Sequence, residues 1–113
     1  MKLPNGNRAQ IDVRQKLIGY CLNKSHRTGR HKARVFESVL GITPKNAGLL
    51  ADALRLAARE SDAKIKDESI DATKFEIECF VTGPRGAAVV RSGWIIERDT
   101  EIPRLTSCYV KLS

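Results

Sequence analysis

The hydrophobic pattern changes period partway along the chain. In roughly the first sixty residues, apolar positions recur every three or four, as on one face of a helix. Beyond about residue 74 they alternate or run on unbroken, as in strands. The first helix is expected from about Val13 to Leu22, with Val13, Leu17, Tyr20 and Cys21 on its apolar face and Asp12 as its cap. Asn23 to Arg30 reads as a polar loop. A second helix fits His31 to Leu40, with Val35, Phe36, Val39 and Leu40 inward and Gly41 as its terminator, because glycine adopts positive φ cheaply. Thr43-Pro44 supplies an N-cap and a first-turn proline for a third helix reaching about Glu60, where Leu50, Ala53, Leu54 and Ala57 repeat at helical spacing.

Ser61 to Ala72 is polar and charged and reads as a surface loop, as do residues 1–10 with their breakers Pro4 and Asn5-Gly6. Lys74 to Val81 alternates polar and apolar, which predicts a half-buried strand. After the turn Gly83-Pro84-Arg85-Gly86, Ala87 to Glu97 is almost continuously apolar and reads as a central strand. Arg104 to Leu112 makes a further strand, with Pro103 at its start. Helices followed by hairpin-linked strands predict an α+β fold. The N-terminal helices should pack on one face of a C-terminal antiparallel sheet of three to four strands.

Length and composition narrow this picture. At 113 residues, 42% hydrophobic and 29% charged, the chain is one globular domain over 1–113. No apolar run approaches the roughly 18 residues of a membrane span, and the start of the chain lacks the apolar stretch of a signal peptide. Three cysteines without CxxC spacing argue against a disulfide scaffold or a structural zinc site, and suit a reducing cytoplasm. No metal and no cofactor is expected.

Charge changes the picture more. The net charge is +7, and residues 1–36 alone carry +8, leaving the remainder near neutral at −1. A local cationic excess attracts phosphate, an acidic protein or an anionic surface. Its densest part, Ser25 to Arg34, holds both histidines of the chain, His26 and His31, with Arg27, Arg30, Lys32 and Arg34. Histidine exchanges protons near neutral pH, and cations stabilise a phosphorane, so these are the parts that RNA cleavage through the 2′-hydroxyl requires. A basic helix start with two solvated histidines accounts for the same residues.

Two other clusters carry polar groups into the predicted sheet. In Val90-Arg91-Ser92-Gly93-Trp94, the period of two puts Arg91 and Gly93 on one face and Ser92 and Trp94 on the other. Arg91 must then reach a ligand or pair with Glu76 or Glu78 on the neighbouring strand. Gly93 marks a place where a ligand or another backbone can approach. In Arg104 to Tyr109, Ser107 and Tyr109 should share one face, and Thr106 and Cys108 the other. Hydroxyls on an exposed face can bind phosphate oxygens, while Thr and Tyr also simply favour strands. Cys108 reads as a small buried hydrophobe rather than a nucleophile.

Several of these stretches together resemble a small bacterial family of uncharacterised function, common in cyanobacteria. They are Lys2-Leu3-Pro4-Asn5, Tyr20-Cys21-Leu22-Asn23, Gly29 to Phe36, Arg91-Ser92 with Trp94, and Pro103 to Tyr109. The resemblance covers nearly the whole chain, although members often carry prolines around the first histidine, where this loop reads Lys24-Ser25-His26-Arg27-Thr28. In element order and residue types the chain is also similar to the barnase–EndoU–colicin–RelE endoribonucleases, an analogy of fold. That likeness implies a metal-independent endoribonuclease, the toxin of a toxin–antitoxin pair. His31, Lys32, Arg91, Thr106 and Tyr109 would be catalytic, and His26, Arg30, Arg34, Ser92 and Ser107 would bind substrate. The implied partners are RNA (tRNA or mRNA) and a small acidic antitoxin, with no membrane. A flat sheet cannot present both Arg91 and Ser92 to one site, so one of the two assignments must fail. The alternatives are a non-catalytic nucleic-acid-binding module and an interaction or immunity protein for an acidic partner.

Overall fold

Helix α1 spans Val13–Cys21 and α2 spans Arg30–Val35 continued by Phe36–Leu40; after a 3-10 turn at Pro44–Asn46, α3 spans Ala47–Glu60. A computed structural model describes residues 1–112 of the chain. Strands β1 (Ala63–Glu68), β2 (Ala72–Gly83), β3 (Gly86–Glu97) and β4 (Arg104–Val110) follow, all antiparallel and paired in sequence order. The α+β reading therefore holds. The start of the chain also joins the sheet, through bridges from Lys2 to Asp62 and from Gln10 to Arg104.

The local signals act where the sequence puts them. The Asp12 carboxylate accepts the Gln15 amide at 2.8 Å. Thr43 Oγ1 accepts from the Lys45 amide, and Asn46 Oδ1 accepts in return from the Thr43 amide at 2.7 Å, a reciprocal cap. Gly41 ends α2 at φ 71°. In α3 the buried positions Ala47, Leu50, Ala51, Leu54, Ala57 and Ala58 form the expected stripe.

Two expectations are corrected. The 61–72 segment contains strand β1, not only loop. Its side chains beyond Ala63 are all exposed, so no hydrophobic alternation announces it. What makes it a strand is backbone pairing with β2, and a bond from the Ala63 amide to the Met1 carbonyl. Helix α1 is also wider than an α-helix. The Leu22 amide reaches back five residues to the Leu17 carbonyl at 2.7 Å, the π pattern.

The core lies between the helices and one face of the sheet. Phe75, Ile77, Val90, Trp94, Leu105, Cys108 and Val110 meet Leu17, Cys21, Phe36, Leu40, Leu50 and Leu54. Each large side chain so buried contributes about 1.5–3 kcal/mol. The opposite face of the sheet is open and carries Lys74, Glu76, Glu78, Arg91, Tyr109 and Lys111. Among the described residues no helix is long and apolar enough to cross a membrane.

Candidate functional site

The three polar clusters of the sequence meet only in part. Their meeting place is the β4 edge of the sheet, against which α1 and α2 both pack. There a cleft of about 430 Å³ is lined by Gln15, Lys16, Gly19 and Tyr20 of α1, His26 of the following loop, and Thr106 of β4. The wide turns of a π-helix bring positions four and five apart over one another. Gln15 and Lys16 therefore lie above Gly19 and Tyr20 on the same face.

The loop from 23 to 29 is built around the His26 ring. Its Nδ1 accepts from the backbone amides of Thr28 at 3.1 Å and Gly29 at 3.0 Å. A nitrogen that accepts two N–H groups carries no proton, which leaves Nε2 as the ring's donor. Tyr20 stands edge-on to this ring, with centroids 4.7 Å apart and planes at 75°. A Cβ at Gly29 would lie 2.6 Å from the Tyr20 carbonyl oxygen and 3.1 Å from its ring, so only glycine lets the loop close over Tyr20.

Thr106 enters the cleft because β4 is bulged. Gly93 pairs with Ser107 but Trp94 pairs with Leu105, which leaves Thr106 as an extra residue. The bulge breaks the expected alternation. Leu105 and Cys108 both point into the core, while the Thr106 and Ser107 hydroxyls both lie over Gly93, 2.9 Å and 3.7 Å from where its Cβ would be. The space that Gly93 leaves open is thus taken by a neighbouring side chain of the same protein.

Beside the bulge, on the open face, Arg91 and Tyr109 are cross-strand partners. Arg91 Nη1 donates to the Tyr109 hydroxyl at 3.1 Å, and the Lys32 ammonium reaches round the sheet edge to stand 4.9 Å from the Tyr109 ring centroid. Arg91 is also paired with Glu76 at 3.5 Å and Glu78 at 3.6 Å, as the sequence allowed. Its bond to Tyr109, followed by the two carboxylates, raises its pKa above the usual guanidinium value. The Lys111 ammonium, 3.0 Å from Glu78, holds that carboxyl below the usual range.

The other predicted residues fall outside these contacts. Ser92 is corrected: it is fully buried on the core face, donating to the Ile77 carbonyl at 3.2 Å and accepting from Trp94 Nε1 at 2.9 Å. It cannot reach a substrate. His31, Arg30 and Arg34 are exposed on the outer side of α2. Arg30 bonds the Arg27 carbonyl at 2.7 Å, and neither His31 nor Arg34 has a hydrogen bond or ion pair among the described residues. Cys108 lies in the core against the Cys21 thiol, and that contact together with burial pushes its pKa well up, so it stays protonated. Gln15, Lys16, Gly19 and Tyr20 are the functional candidates that sequence reasoning missed. Tyr20 packs against the rim of the core, as its place on the apolar face predicts, and also lines the cleft.

The chain is a member of the family described as a domain of unknown function (DUF6883), whose model matches residues 2–112. No curated protein matches it.

Proposed function

We propose that this protein is a metal-independent endoribonuclease, the toxin of a bacterial toxin–antitoxin pair, and that it holds RNA along the β4 edge. One observation carries the reading. His26, Lys16 and Thr106 come together in one cleft, next to the Lys32–Tyr109–Arg91 cluster, and Lys16, His26 and Lys32 come from the part of the chain that holds the whole cationic excess. Lys16 and Lys32 have no carboxylate within ion-pair distance among the described residues, so their charge is available to phosphate.

The chemistry assigns each group a step. His31, with both ring nitrogens unbonded, is assigned the proton of a 2′-hydroxyl; it lies outside the cleft lining, so the bound strand must run from the cleft across α2 to meet it. The oxygen attacks phosphorus, the bond to the 5′-oxygen breaks, and that oxygen takes the phenolic proton of Tyr109. Tyr109 is suited to this because its oxygen accepts from Arg91 and leaves its own hydrogen to donate. Lys16 and Lys32 bear the charge that develops on the phosphorane. The products are a 2′,3′-cyclic phosphate and a 5′-hydroxyl. Arg30 and Arg34 hold the flanking strand, Ser107 orients it, and a small acidic antitoxin covers the same cations.

A non-catalytic RNA-binding module is the second reading. The position of His31 favours it, since that ring is exposed and does not line the cleft. The deciding experiment incubates total RNA and purified tRNA with the protein in EDTA, beside His31→Ala. Discrete fragments with cyclic phosphate ends, lost in the variant while RNA affinity is kept, support the nuclease. Intact RNA with a clear gel shift overturns it in favour of the binding module.

A further inference from the structure

We propose that the cleft between α1, the 23–29 loop and the β4 bulge receives one internal phosphodiester of a single strand, with His26 acting there as a neutral hydrogen-bond donor rather than as a proton carrier. The inference deepens the ribonuclease reading and rests on it for the identity of the polymer.

The lining decides the ligand's charge. Gln15, Lys16, Tyr20, His26 and Thr106 all bring hydrogen-bond donors, and no carboxylate lines the cleft among the described residues. The ligand is therefore an acceptor-rich anion. Lys16 is the single lysine or arginine on that lining, and His26 Nδ1 is already taken by two backbone amides. One cation matches the single negative charge of a phosphodiester. A terminal phosphate carries about −1.5 to −2 at neutral pH and would be left undercompensated.

The donors are also held in place before any ligand arrives. Two backbone amides fix the His26 tautomer, Gly29 and His26 confine the Tyr20 ring, and the bulge over Gly93 fixes Thr106. Such prior ordering is what a binding site needs in order to select geometry as well as charge. A recess in the protein surface admits a backbone that can bend into it, which a single strand does and a duplex does not.

The test uses a 2′-O-methyl dinucleoside monophosphate, which contains the linkage but cannot be cleaved through its 2′-oxygen. It is titrated into histidine-¹⁵N-labelled protein, with His26→Gln used to assign the signals. Expected are a His26 ring protonated on Nε2 both free and bound, movement of Nε2 on binding, and affinity about tenfold lower in Lys16→Ala. Inorganic phosphate and a 5′-mononucleotide should bind more weakly. The proposal is overturned by tighter binding of either terminal phosphate, by an unchanged affinity in Lys16→Ala, or by a bound His26 protonated on both nitrogens. Failure to cleave RNA, with dinucleotide binding intact, sinks the nuclease alone. Cleavage by a protein whose cleft ignores the dinucleotide sinks this inference alone.

Discussion

Arg91 and Ser92 are adjacent in sequence, and the pleat sends them to opposite environments. Arg91 keeps a side chain 27% exposed between two carboxylates and a phenol of the same protein. Ser92 instead satisfies the indole N–H of Trp94 inside the core. Ser92→Ala should therefore cost about 1–3 kcal/mol, because the buried indole loses its acceptor. Denaturant unfolding followed by fluorescence of the chain's single tryptophan measures this, and RNA affinity should not change. The Glu78 carboxyl gives a pH-dependent prediction. Its pKa is lowered from the usual 4.5 by the Lys111 ammonium, so it binds protons less readily folded than unfolded. Its contribution is present above pH 4.5 and disappears as the pH falls through the folded value. Thermal melts of wild type and Glu78→Gln should differ at pH 7 and converge in acid.

At the scale of elements, the unexpected features are a wide helix and a bulged strand, and both shape the cleft. The pitch of α1 sets Gln15 and Lys16 over Gly19 and Tyr20, and the bulge in β4 brings Thr106 to the same side as Ser107. Gly93 makes room for that bulge. Gly93→Ala should destabilise the fold, because its Cβ would sit 2.9 Å from Thr106 Oγ1. In a Thr106→Ala background the clash is gone, and alanine should then stabilise the strand by about 0.5–1 kcal/mol relative to glycine. A double-mutant cycle reads this coupling directly, and additive effects would refute the account of Gly93.

At the scale of the whole molecule, the charges of the cationic third differ in whether a carboxylate pairs with them. Lys24 is neutralised by Glu37 at 2.9 Å, which lowers the Glu37 pKa, but Arg30 and Arg34 have no such carboxylate among the described residues. RNA binding should therefore weaken steeply with salt, each phosphate neutralised adding about 0.7 to the slope of log affinity against log salt. Arg30→Ala and Arg34→Ala should each flatten the slope by about that amount. Lys64→Ala and Lys66→Ala, on the far edge strand β1, should leave it as it was. Filter binding across a salt series decides between these outcomes.

Local patterns were enough to read the helix caps at Asp12 and Thr43, the stop at Gly41, the central strand 87–97 and the cationic excess of residues 1–36. Each depends on neighbours a few residues away or on composition. The pairing of Arg91 with Glu76 and Glu78 was legible as one of two options, because adjacent antiparallel strands put those side chains opposite one another. Tertiary structure decided the rest. An edge strand with exposed side chains leaves no hydrophobic signature, so β1 could not be read. The π pitch of α1 and the bulge at Thr106 depend on how α1, α2 and β4 pack together. The His26 tautomer depends on a loop closed over Tyr20, and a period of two or of 3.6 residues contains none of this.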